Sequence, residues 1–94
     1  MPGPLDGYRV VDLTAMITGP QTTMSLGDQG ADVVKVEPPG IGDVMRYLGT
    51  QRAGIAALFS SFNRSKRSIV VNLREDAGRE IVARLAREAD VFIQ

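Results

Sequence analysis

The chain has 94 residues, enough for one small core that buries roughly 60–65% of the unfolded surface. It is 44% hydrophobic and 23% charged, the balance of a globular domain, and eleven basic residues cancel eleven acidic ones, so net charge names no partner. The absence of Cys and His excludes disulfides, thiolate nucleophiles, Cys- or His-ligated metals, and any Ser–His–Asp or Cys–His mechanism completed within this chain.

The opening MPGPLDGYRV has neither the basic region nor the apolar stretch of a secretory signal. No apolar run approaches the roughly 20 residues that span a bilayer. The expected location is the cytoplasm, with no membrane partner.

In chain order, Arg9–Leu13 is a β-branched run that reads as a buried strand. Thr18 with Gln21 three residues on fits a capping box, with Pro20 tolerable in the first turn. A helix is predicted from about Gly19 to Gln29, stopped by Gly30 in the left-handed conformation. Ala31–Glu37 reads as a second strand, ended by Pro38 and Pro39. Strand, helix, strand with tight loops is a βαβ unit, and such a crossover makes its two strands parallel.

Residues 40–50 read as a glycine-broken loop, and Ala53–Phe62 as a short helix. Ser68–Asn72 is a predicted third strand. A second long helix is expected over Glu75–Glu88, with Ala77, Ile81, Leu85 and Ala89 as its core stripe and Glu75 and Asp76 complementing its dipole. Asp90–Gln94 begins a fourth strand. A chain that stops there reads as the amino-terminal piece of a larger α/β protein.

In open α/β sheets ligands bind beyond the carboxyl ends of the strands, near helix N-termini that favour anions. The first such corner, Thr14–Gln21, lacks a Gly-x-Gly-x-x-Gly fingerprint, and on spacing alone it reads equally as an ordinary capped loop. A second signal is charge. Between Val44 and Arg74 lie Arg46, Arg52, Arg64, Lys66, Arg67 and Arg74 without a single acid. This stretch reads either as a phosphate site, because guanidinium forks chelate phosphate oxygens, or as a loop pairing with acids elsewhere. Nucleic acid is the weaker reading, since neither a basic helix face nor interleaved aromatics accompany it. Asp12 and Glu37 read as structural carboxylates, the latter capping or pairing with a nearby Arg.

These segments together resemble one family. Pro4–Thr14 looks like its opening strand, Thr18-Gly19-Pro20 its turn, and Leu26–Glu37 its helix end and second strand. Pro39-Gly40-Ile41-Gly42-Asp43-Val44-Met45-Arg46 is similar to its proline–glycine–aspartate–arginine loop. Phe62-Asn63-Arg64-Ser65-Lys66-Arg67-Ser68, Gly78-Arg79 and Ala89-Asp90-Val91 complete the match. The family is the class III CoA transferases, with the carnitine-CoA and formyl-CoA transferases and the related 2-methylacyl-CoA racemases.

The resemblance implies a Rossmann-like parallel sheet of βαβ units, the amino-terminal part of a larger interlocked homodimer. It implies coenzyme A, carried as acyl-CoA, and carboxylic acids as substrates, with no metal. The implied activity is transfer of CoA between acids through an aspartyl-CoA intermediate, whose aspartate lies beyond this chain. No catalytic residue is therefore assigned here, and the 94 residues alone are expected to be inactive. The racemase branch, or an inactive CoA-binding module, remains open on the same residues. Carried over by position, Ala15, Met16, Ile17 and Thr18 lie against the thioester region, Val71 walls the adenine, and Arg74 with Lys66 and Arg67 meets the phosphates. Three positions depart from the family pattern. Pro38 stands where some members carry a basic residue, Asn72 replaces a frequent aspartate, and Ile17 replaces a polar residue of some transferases.

Overall fold

The computed structural model describes residues 3–94. Its elements are β1 (Arg9–Asp12), α1 (Thr18–Asp28), β2 (Asp32–Glu37), a 3₁₀ turn (Val44–Tyr47), a hairpin of β3 (Gln51–Arg52) and β4 (Ile55–Ala56), α2 (Ala57–Phe62), β5 (Lys66–Val70), α3 (Asp76–Glu88) and β6 (Val91–Ile93). Four strands form one sheet in the order β5-β2-β1-β6, every neighbouring pair parallel. This is the expected Rossmann-like α/β architecture. The chain winds outward from β1 to β2 and β5, then returns through α3 to pair β6 on the other side of β1. The reversal puts the turn after β1 at the switch point, where such sheets open a crevice.

Alternation along β1 explains the two cores. Val10 packs with Ala31 and Val33 beneath Leu26 of α1, whereas Val11 faces the other way onto Val36, Val71 and Val82 of α3. Gly30 closes α1 at φ 105°, as its position predicts. Gly78 has a different reason: a Cβ there would overlap the Asn72 carbonyl oxygen, so only glycine lets α3 approach the turn after β5.

Four expectations need correction. Ile17, not Thr18, occupies the N-cap of α1 and no side chain caps the helix, so the capping box does not form. The helix expected from Ala53 begins at Ala57 instead. Ala53 and Gly54 both have positive φ and reverse the chain as a hairpin. The third strand starts two residues early, because Lys66 pairs in register with Val33. Finally, the stripe of α3 runs through Gly78, Val82, Leu85 and Ala89: Val82 is 7% exposed and Ile81 46%. Positions spaced strictly by four rotate about 40° per step around an α-helix and leave the core face.

Candidate functional site

The sheet register concentrates charge at its carboxyl edge. Residues paired across parallel strands share a face, so Asp12, Lys35, Glu37 and Ser68 lie on the α1 side, beyond the apolar Val10 and Val33. Three ion pairs neutralise this buried patch. Lys66 Nζ donates to Asp12 Oδ2 (3.1 Å), the Pro20 carbonyl (3.0 Å) and Asn63 Oδ1 (2.8 Å). Lys35 Nζ lies 2.8 Å from Asp43 Oδ2. Arg46 forks onto Glu37, with Nε and Nη2 each 2.7 Å from a carboxylate oxygen, and stacks over the Phe59 ring at 3.9 Å.

Titration behaviour follows from these contacts. Burial alone would raise the Glu37 carboxyl, but hydrogen bonds from Arg46, Ser68 and the Asp43 amide outweigh it and hold the group at about 2. Burial likewise works against the Asp12 carboxylate. Bonds from Thr14, Thr23 and Lys66 nonetheless keep it below the ordinary range. Both acids are structural, as their positions in the sequence suggest.

The basic stretch changes character once folded. Arg46 pairs with Glu37, Arg64 with Asp28, Lys66 with Asp12 and Arg67 with Asp32, all acids supplied by residues 12–37. Of the six cations, Arg52 and Arg74 have no carboxylate within 4.0 Å among the described residues. Lys66 is buried under α1 with its side chain 2% exposed. Arg67 lies on the other face near the amino end of the sheet, against Asp32, so neither joins Arg74. The expected grouping of the three as one phosphate site does not form.

What the fold does bring together lies at the carboxyl edge. A cleft of about 370 Å³ opens where β2 and β5 end, lined among others by Pro38, Pro39, Val71, Leu73 and Arg74. Val71 is 6% exposed and belongs mainly to the core, so Leu73, Pro38 and Pro39 supply most of the apolar wall. Sequence reasoning noted Pro38 only as a departure from the family pattern and missed Pro39 and Leu73. Their signal is position alone, immediately after strands whose carboxyl ends form a ligand edge. Asn72 Oδ1 accepts the Arg74 amide at 3.0 Å and shapes the turn that carries the guanidinium.

The other corner, Ala15–Thr18, is exposed at the switch point after β1. Thr18 and Gly19 stand in the first turn of α1, where backbone N–H groups have no intrahelical acceptor. The Met16 amide, by contrast, donates to Asp43 Oδ1 at 3.2 Å. Asp43 in turn donates its own amide to Glu37 Oε1 at 2.9 Å, so hydrogen bonds connect the Met16 corner to the end of β2. Both corners occupy the same edge of the sheet.

The sequence profile described as CoA-transferase family III matches residues 5–94. The chain belongs to this family. It is 45% identical over 92 residues to succinyl-CoA:glutarate CoA-transferase of Homo sapiens, covering 97% of this chain and 21% of that one. It is 42% identical over 95 residues to formyl-CoA:oxalate CoA-transferase of Escherichia coli, covering 100% of this chain and 23% of the relative. A crystal structure of a CAIB/BAIF family protein from Brucella suis superposes with a TM-score of 0.90 at 45% identity, over 98% of this chain and 25% of that one. The chain therefore spans a quarter or less of the length of these family III relatives. The resemblance carried by its motifs, and the parallel α/β fold expected from it, are both borne out.

Proposed function

We propose that the chain forms the CoA-binding, amino-terminal part of a family III CoA-transferase. The whole protein moves CoA between carboxylic acids, by way of an aspartate outside these 94 residues, and acts as a homodimer in the cytoplasm. Within the chain, Leu73, Pro38 and Pro39, with the edge of Val71, wall the adenine. Arg74 meets the phosphates, and the Ala15–Thr18 corner receives the thioester end. Lys66 and Arg67 have no part in binding, because Asp12 and Asp32 already engage them.

One observation carries the reading. At the ligand edge of the sheet, a guanidinium with no carboxylate within 4.0 Å among the described residues stands beside an apolar wall, which is the chemistry a nucleotide phosphate and its base require. The relatives' names supply the substrate class, CoA thioesters and carboxylic acids.

Calorimetric titration with CoA and dephospho-CoA tests it. CoA is expected to bind more tightly, and Arg74→Ala to weaken CoA by about tenfold, the scale of one charged hydrogen bond. The melting temperature of that variant should not move. Failure of CoA to bind, or undiminished binding to Arg74→Ala, would overturn the proposal.

A further inference from the structure

The buried Lys35–Asp43 pair straddles one residue of the exposed corner. Lys35 Nζ donates to the Thr14 carbonyl at 3.1 Å, and Asp43 Oδ1 accepts the Met16 amide at 3.2 Å. Ala15 lies between the two grips. Met16 is held at φ 75°, a left-handed conformation that a non-glycine residue adopts only when its surroundings impose it. Asp43 is itself immobilised from several directions. Its amide bonds Glu37 Oε1, its Oδ1 accepts a second amide from Met45 at 2.9 Å, and its Oδ2 lies against Lys35. All of this is internal: Asp43 and Lys35 are buried, whereas Met16 and Ile17 are exposed.

Two buried charges from different elements converge on the backbone of a short exposed turn and fix its strained geometry. We infer that Asp43, backed by Lys35, is a positioning residue that presets the Ala15–Thr18 corner for the acyl end of the bound thioester, without touching it. The inference rests on the CoA reading above and adds a division of the site. Arg74 governs the nucleotide half, and Asp43, acting through Met16, governs the acyl–pantetheine half.

The test uses two probes, acetyl-CoA and adenosine 3′,5′-bisphosphate, the latter being the nucleotide half alone. Asp43→Asn retains an oxygen for Met16 and Met45 but loses the charge that Lys35 holds in place. It should weaken acetyl-CoA by about fivefold and leave the bisphosphate within about twofold, whereas Arg74→Ala should weaken both. Equal weakening of both probes by Asp43→Asn would make Asp43 a support of the whole fold and overturn the inference, as would no effect on acetyl-CoA. If neither probe binds the unmutated chain, the CoA reading itself fails and this one falls with it, a result distinct from the previous two. Where Asp43→Asn does not fold, the unmutated chain decides. By amide exchange, Met16 must be protected about tenfold over Ala15 and Ile17. Acetyl-CoA, and not the bisphosphate, must shift the amide resonances of residues 15–18. Absence of either sinks the proposal.

Discussion

Replacing Glu37 by Gln tests the electrostatic account of the ligand edge most directly. Folding takes this carboxyl from an ordinary 4.5 to about 2. That depression of about 2.5 units corresponds to about 3 kcal/mol of stability, at 1.36 kcal/mol per unit. Because the folded value is the lower one, the contribution is fully present above pH 4.5 and is lost as pH falls towards 2. In the Gln variant one oxygen can still accept the Asp43 amide, but the new amide group then faces Arg46 Nη2, donor against donor, where a carboxylate oxygen stood at 2.7 Å. Urea unfolding followed by circular dichroism at pH 7, 5 and 3 should show the variant about 3 kcal/mol less stable at pH 7 and the gap closing at acid pH. Parallel pH profiles for the two proteins would refute the reasoning, whatever the size of the offset.

Gly78→Ala should cost roughly 3 kcal/mol in thermal or urea unfolding, since its methyl group meets the Asn72 carbonyl rather than a yielding side chain. Val82→Ala is expected to cost about 2 kcal/mol and Ile81→Ala less than half of that, which separates the observed core face of α3 from the stripe spaced by four. Lys66→Met strands the buried Asp12 carboxylate and should destabilise by roughly 3–5 kcal/mol at pH 7; pairing it with Asp12→Asn should recover much of the loss, measured as a double-mutant cycle.

Much of the fold was legible because its signals are local. The run Arg9–Leu13, the periodic helix before Gly30 and the run ending at Pro38 identify a βαβ unit, and the crossover rule then makes the strands parallel. Position after a strand marked the Met16 corner, a run of basic residues drew attention to Arg74, and the motifs from Pro4 to Val91 identified the family. The misread cations share one cause, which is that each has its partner remote in sequence. Lys66 looked like a free cation in a run without acids, yet its counterion is Asp12, 54 residues away. Arg67 likewise meets Asp32, 35 residues away. No local composition rule reports such pairs.

Sequence by itself determined the alternation of strands and helices, the glycine stop of α1 and the family, because hydrophobic period, backbone permissiveness and motif order are properties of neighbouring residues. Tertiary structure alone decided which charges are neutralised and that Asp43 reaches the Met16 amide. Those outcomes depend on sheet register, which sets side chains from separate strands and loops within hydrogen-bond reach only after the chain has closed on itself.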